Sequence, residues 1–236
     1  MSTTALRMAA TCLPLRDGEH GLEILMVQRN PELSFGGMWT FPGGGLESGD
    51  GPQPESIDED AQEWLDTELV VTASYAAARE TREETALHCS AESLQLFSHW
   101  IPPLKHGPPK RFATWFFLAP EVTGSIELDT RENAEVRWTS AGAALEEFRR
   151  GEFPMAVPTW ITLDDLQHAT TTAAVMREAN ERGPRMHHTT TFRTPSGAVL
   201  AWEGDVALRD GPDARGPRNR VVMGRDGSLE RELDVR

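Results

Sequence analysis

Two short segments constrain this chain more than anything else in it. The first, Phe41-Pro42-Gly43-Gly44-Gly45-Leu46-Glu47-Ser48-Gly49-Asp50, ends an apolar stretch on a proline and three glycines. The second, Ala76-Ala77-Ala78-Arg79-Glu80-Thr81-Arg82-Glu83-Glu84-Thr85-Ala86-Leu87, has the composition of a helix. On a helix Glu80, Glu83 and Glu84 stand at i, i+3 and i+4, so three carboxylates share one face. Like charges at that spacing repel by roughly 0.2–0.5 kcal/mol per pair. A divalent cation removes the repulsion, and hard oxygen donors suit Mg²⁺ or Mn²⁺. The Pro42–Gly45 run lets backbone approach a ligand and aim carbonyl or N–H groups at metal or phosphate. Taken singly, each segment also reads as something ordinary: a solvated charged face, a plain turn. Taken together and in this order they point to a site. No Gly-Lys-Ser/Thr follows the glycines and no Gly-x-Gly-x-x-Gly opens a helix, so the usual nucleotide-binding loops are not supported.

The chain of 236 residues suits one sizeable domain, or one with an elaborated end. Its net charge of −14 argues against a nucleic-acid partner, whose footprint would be basic. An acidic protein still handles anionic phosphates where metal and local cations invert the field. Cys12 and Cys89 lack paired spacing, so neither a disulfide framework nor a cysteine zinc site is expected. No run approaches the roughly 18 apolar residues of a membrane helix, and Met1–Arg16 has no convincing cleavage signal. A soluble, cytoplasmic protein without membrane partners is the expectation.

Periodicity predicts strands over Ala5–Pro14 and Leu22–Gln28 around the turn Arg16–Gly21, and over Met38–Phe41 before the glycines. A helix is predicted over Pro54–Leu69, with Ile57, Ala61, Trp64 and Leu65 at helical spacing, and another over Ser74–Leu87 with Ser74 as N-cap. Strands follow at Leu94–Ile101, Thr114–Leu118 and Val136–Trp138, the first two separated by a proline-rich loop, residues 102–111. Helices are predicted over Ala141–Arg150, closed by Gly151, and over Pro158–Arg182. Strands at Met186–Arg193, Ala198–Trp202, Arg220–Met223 and Leu229–Leu233 complete the chain, the last two around Asp226-Gly227. A mixed sheet with helices on its faces fits this order.

Joined, the two segments resemble the signature Gly-x5-Glu-x7-Arg-Glu-U-x-Glu-Glu-x-Gly-U, with U bulky and apolar, of the Nudix hydrolases, which cleave diphosphate bonds with bound magnesium. Phe41–Gly45 and Arg79-Glu80-x-x-Glu83-Glu84 carry the match. Residues 51–78 separate Asp50 from Arg79, an excess of roughly 21 over the pattern, which a surface loop absorbs at little entropic cost. The resemblance implies an α/β fold: an α/β/α sandwich with a mixed sheet, an insertion inside the box and a C-terminal α+β extension. It divides the chain into a core over 1–155, with the insertion at 51–73, and an extension over 156–236 packed on that core.

Carried over by position, the resemblance makes Glu80 and Glu84 direct Mg²⁺ (or Mn²⁺) ligands, Glu83 a direct or water-mediated one, and Gly44 a backbone donor. Arg79 orients the carboxylates. Glu80 or Glu84 is the general base, with Glu132 or Glu135 as substitutes from a distant loop. Asp50 stands where the first glutamate is expected, Thr81 where an apolar residue is expected, and Ala86 where a glycine is expected. If position 86 needs φ > 0, alanine costs about 1 kcal/mol. The interruption, the stretch Ile24–Pro31, and Trp100–Pro103 leading to Arg111–Leu118 resemble a branch that includes the mammalian peroxisomal coenzyme A diphosphatase. That branch implies cleavage of coenzyme A or acyl-coenzyme A to a 4′-phosphopantetheine species and adenosine 3′,5′-bisphosphate. Arg29, Gly43, Gly44, Lys105, Lys110 and Arg111 are the candidate substrate contacts, the last three on a loop that prolines pre-order. ADP-ribose, NADH or nucleotide sugars are the alternative substrates. A non-catalytic nucleotide-binding sensor and an interaction domain are the rival classes. Trp64 and Leu65 are candidates for a lid or a homodimer contact. His187 and His188 are adjacent on a strand, point to opposite faces and cannot easily chelate one metal.

Overall fold

The structure is a computed structural model, and it describes residues 6–19, 21–33, 35–54, 62–103 and 110–234. The described residues fall into two compact units: a larger one, covering 8–99 and 114–185 where described, and a smaller one, covering 6–7, 100–103, 110–113 and 186–234. The architecture is an α/β sandwich with a mixed sheet, a separate second sheet and C-terminal helices and strands.

The strands lying wholly or mostly in the larger unit are β1 (Leu6–Gly18), β2 (Gly21–Arg29), β3 (Trp39–Thr40), β4 (Gly43–Gly45), β5 (Gln95–Ile101), β6 (Arg111–Ala119) and β7 (Asn133–Thr139). Their order is β3-β2-β1-β6-β5, with β4 paired to β1 and β7 to β2. β1 and β2 form a hairpin that pairs Leu15 with Ile24 and closes on Gly18 and Gly21, tighter than the six-residue turn expected. Leu13, Leu15 and the run Ile24–Val27 are buried. A continuous apolar run of this kind is what a strand covered on both faces requires.

The glycines depart from expectation. They do not merely stop β3. They form β4 and pair antiparallel with β1, with Gly43 opposite Thr11, Gly44 opposite Ala10 and Gly45 opposite Ala9. A side chain at Gly43 would sit 2.5 Å from the Ala10 carbonyl oxygen, so this strand lies close to its neighbour because it carries no Cβ.

The helices of the larger unit are α1 (Thr67–Thr85), α2 (Ala141–Arg149), α3 (Val157–Leu166) and α4 (Thr172–Arg182). α1 begins well before Ser74. Its cap is Asp66, whose carboxylate accepts from the N–H groups of Glu68 at 2.9 Å and Leu69 at 3.4 Å, while the Ser74 hydroxyl donates to Val71 O inside the helix. The expected helix over Pro54–Leu69 lies partly outside the described residues. Its described end is a single 3₁₀ turn, Gln62–Leu65, ahead of α1. The expected helix over Pro158–Arg182 is two helices: Thr171 caps α4 by accepting from Ala174 N–H, and a run of three threonines favours a cap over a helix interior. Trp64 is buried within the same unit, stacked 5.0 Å from His99, and its carbonyl accepts from Trp115 Nε1 at 2.8 Å. It therefore belongs to the core of its own chain; Leu65 is exposed.

In the smaller unit β8 (Arg185–His188) and β9 (Thr190–Thr194) replace the single strand expected over Met186–Arg193. β9 joins β10 (Gly197–Ala201), β11 (Asn219–Gly224) and β12 (Leu229–Leu233) in an antiparallel sheet ordered β12-β11-β10-β9. α5 (Ala207–Asp210) is one turn long. His187 is buried between the rings of Trp100, at 3.8 Å, and Trp202, at 5.3 Å. Asp205, buried, accepts from Arg220 and from the backbone of Ala207 and Asn219. Among the described residues no helix is long and apolar enough to cross a membrane.

Candidate active site

α1 carries the carboxylates because its buried stripe, Ala73, Ala76, Ala77 and Thr81, leaves the neighbouring face to Glu80, Glu83 and Glu84 at the 3.6-residue period. Thr81, in place of an apolar residue, is fully buried, and its hydroxyl donates to Ala77 O at 2.7 Å. Its polarity is thus satisfied inside the helix. α1 ends on Ala86 with φ 60 and its N–H on Arg82 O. The left-handed conformation that favours glycine is therefore held by alanine.

β4 meets this face. Glu84 is 2% exposed; one of its oxygens accepts from Gly43 N–H at 3.1 Å and the other from Arg29 Nη1 at 3.2 Å. Burial lifts its carboxyl to about 7 against the opposing influence of Arg29, Asn133 and Gly43, and the Glu80 charge adds to the rise. The Glu80 carboxylate lies on the α-carbon of Gly44: a Cβ there would stand 2.5 Å from its carboxyl carbon. Burial raises the Glu80 carboxyl too, Arg79 opposes, and Glu83 and Glu132 reinforce the rise. Glu83 is half exposed and pairs with Arg79 at 3.1 Å.

Arg79 holds the two halves of the motif together. It grips Asp50 through two nitrogens at 2.9 and 3.0 Å, Glu80 at 2.9 Å, and the Gly45 carbonyl at 3.0 Å. Asp50 also accepts from Glu47 N–H at 2.7 Å. A planar guanidinium is suited to this, since its donors form a rigid fork.

The residues β2 and β7 bring in were harder to see. Arg29, at the end of β2, reaches Glu84 and also Glu132 at 3.6 Å. Asn133, completely buried at the start of β7, lies beside Glu84. Asn133 belongs to no motif, and only its place at a strand start across from Arg29 would have hinted at it. Glu135 pairs with Gln28 along the strand and is exposed. Lys110 and Arg111 belong to the smaller unit, where Arg111 is buried and donates to Pro102 O at 3.0 Å; Lys105 lies outside the described residues.

Among the described residues, no three His, Cys, Asp or Glu side chains already surround one point that could hold a metal ion. The donor set nonetheless fits Mg²⁺ or Mn²⁺: one buried carboxylate, Glu84, and one partly buried, Glu80, each raised in part by the other glutamates, beside a glycine backbone with no side chain in the way.

Residues 70–157 match the NUDIX domain family. The match starts inside α1 and leaves out the glycine strand, as expected where a long segment separates the two halves. The match supports a hydrolase role for the protein. A NUDIX hydrolase from Alicyclobacillus acidocaldarius is similar in structure, with a TM-score of 0.60 and 24% identity over 75% of this chain and 97% of its own. A MutT NUDIX hydrolase from Burkholderia pseudomallei gives 0.46 and 18% over 67% and 96%. A MutT protein from Methanosarcina mazei gives 0.47 and 17% over 70% and 97%. No curated protein matches the sequence.

Proposed function

We propose that this protein is a Nudix diphosphatase that uses Mg²⁺ or Mn²⁺ at Glu80, Glu84 and the Gly44 backbone, with Glu83 as a direct or water-mediated ligand. The observation that carries the reading is the meeting of Glu80 and Glu84 on Gly43 and Gly44, with Arg29 and Arg79 at either side. When bound, the cation neutralises charge on the diphosphate oxygens. Water attacks one phosphorus of an X–P–O–P–Y linkage, its proton passes to a carboxylate, and the bond from that phosphorus to the bridging oxygen breaks. Arg29 and the Gly43 N–H supply donors for a phosphate oxygen.

Glu80 and Glu84 are the candidate bases within the box. One observation favours a second reading of the base: Glu132 is exposed and stands 3.6 Å from Arg29, the residue that also meets Glu84, while lying outside the box. Glu84→Gln is expected to lower kcat by about a thousandfold or more, while Glu132→Gln lowers it by roughly 10²–10⁴ only if Glu132 is the base. If Glu84→Gln turned over within a few-fold of wild type, the site assignment would fail.

Coenzyme A or acyl-coenzyme A is the preferred substrate. The interrupted box and the Ile24–Pro31 stretch support it. ADP-ribose, NADH and nucleotide sugars share the chemistry and form the comparison set. One hydrolysis screen in Mg²⁺ across these compounds, with products identified, decides among them. The free thiols of Cys12 and Cys89 fit a cytoplasmic setting, and a small molecule is the partner proposed.

A further inference from the structure

Glu84 is met from three sides, and one of the three contacts is incomplete. Gly43 N–H donates to one of its oxygens at 3.1 Å and Arg29 Nη1 to the other at 3.2 Å. The third neighbour is the side-chain amide of Asn133, which lies against the carboxylate. Asn133 is completely buried, yet neither its Nδ2 nor its Oδ1 completes a hydrogen bond among the described residues. Burying a carboxamide without partners is costly, so an amide left in this state calls for a reason. A carboxylate offers about four lone-pair positions. Gly43 and Arg29 fill only part of them, so an acceptor for the amide is at hand.

The strand is bent to put this amide here. β7 pairs Glu135 with Gln28 and then Asn133 with Arg29, so the register slips by one residue at Ala134. A slip of one residue turns a side chain to the opposite face. Without it Ala134 would stand across from Arg29; with it the Asn133 and Arg29 side chains share a face, as directly opposed residues do. Ala134 and Glu135 are both exposed, the mark of the broken alternation. The segment is also pinned. Asn133 N–H donates to Asp129 O at 3.0 Å, Asp129 N–H to Glu84 O at 2.9 Å, and Asn30 N–H to Glu132 O at 2.8 Å. Arg29 differs from Asn133 in every respect: its side chain is long, 22% exposed, and shared between Glu84 and Glu132.

We propose that Asn133 is the positioning residue that holds Glu84 when a divalent cation occupies the site, donating to the oxygen that Arg29 otherwise holds. This rests on the diphosphatase reading and gives the site a residue from outside its motif. A guanidinium and a divalent cation repel at close range, so the two compete for one carboxylate. An amide donates without a charge and stays beside a cation at no such cost. Arg29 is then released to the anionic substrate, and Asn133 takes its place on Glu84. The orphaned amide is the donor kept for that exchange.

The test is titration of the full chain with Mn²⁺, read by the electron paramagnetic resonance of the free ion, beside melts of the metal-free protein. Asn133→Leu replaces the amide with an apolar group of similar shape. It is expected to bind Mn²⁺ roughly tenfold to a hundredfold more weakly than wild type. Its metal-free melting temperature should equal or exceed that of wild type, because a buried amide without partners is gone. Asn133→Ala and Asn133→Ser remove similar bulk, but only the second keeps a donor. Asn133→Ser should therefore bind Mn²⁺ more tightly than Asn133→Ala. The proposal is overturned if Asn133→Leu, or Asn133→Ala where Asn133→Leu does not fold, binds Mn²⁺ within about threefold of wild type. It is equally overturned if Asn133→Ser and Asn133→Ala bind alike. A wild type that binds no Mn²⁺ removes the metal site and this role together. A wild type that binds Mn²⁺ and hydrolyses no diphosphate defeats the enzymatic reading alone, and the titrations still decide the role of Asn133.

Discussion

The three consecutive glycines of β4 should respond to alanine in three different ways. At Gly44 a Cβ would stand 2.5 Å from the carboxyl carbon and one oxygen of Glu80, and 2.7 Å from the other oxygen. Ordinary van der Waals contact needs about 3.5 Å, so the carboxylate must retreat by about 1 Å. A long side chain can do so by rotating, and stability hardly changes. Catalysis is less forgiving: a misplacement of about 1 Å costs on the order of a hundredfold. At Gly43 the new Cβ would meet backbone, Ala10 O at 2.5 Å and Thr11 Cα at 2.7 Å. Backbone cannot rotate away, so Gly43→Ala should destabilise the fold by about 1–3 kcal/mol. At Gly45 the nearest atom is Met8 O at 3.9 Å. Gly45→Ala should be neutral, or stabilising by roughly 0.5–1 kcal/mol as the glycine entropy penalty is lifted. The assay is kcat/KM for diphosphate hydrolysis in Mg²⁺ beside the melting temperature of each variant. The reasoning is refuted if Gly44→Ala keeps kcat/KM within about threefold of wild type. It is equally refuted if Gly45→Ala loses as much activity as Gly44→Ala.

Ala86→Gly should stabilise by about 1 kcal/mol, because Ala86 holds φ 60 at the end of α1, and a melt should show it as a rise of roughly 2–4 °C with unchanged kinetics. Glu84→Gln should stabilise the metal-free protein at pH 8 even as it abolishes turnover. Its folded carboxyl is raised to about 7 over an unfolded value of about 4.3. The protonated form is the one folding favours, so stability is lost as pH rises through that window, and glutamine escapes the loss, worth about 1–3 kcal/mol. Denaturant melts of both proteins with chelator at pH 5 and pH 8 check it; a wild type no less stable than the variant at pH 8 would contradict it. Asp205 has the opposite sign. Burial would lift its carboxyl, but Arg220 and the N–H groups of Asn219 and Ala207 outweigh burial and hold it below its usual value. Its contribution is therefore present above the unfolded pKa of about 3.9 and disappears as pH falls through the lower folded one. Asp205→Ala, which leaves Arg220 buried and unpaired, should cost about 3–5 kcal/mol at pH 7 and much less at pH 2, read by thermal melts at both.

What could be read from the sequence was local. The spacing of Glu80, Glu83 and Glu84 is a property of one helix, the left-handed demand at residue 86 is a property of one helix end, and hydrophobic runs reveal buried strands whatever they pair with. Each rests on a period of a few residues, which sequence order contains. The helix boundaries failed where two local signals competed: Asp66 is as good a cap as Ser74, and the helix expected over 158–182 stops at Leu166 before Thr171 caps the next one.

What the sequence determined alone, then, is the chemistry: a hard-oxygen carboxylate face and a bare glycine strand. The tertiary structure decided which members of that chemistry act together. It buried Glu84 and left Glu83 half exposed, although both lie on one helical face, because only Glu84 meets β4 and Arg29. It brought Glu132 and Asn133 to a helix far away in the chain, through the pairing of β2 with β7. Burial and cross-strand register depend on which segments become neighbours, and no spacing within one segment encodes that.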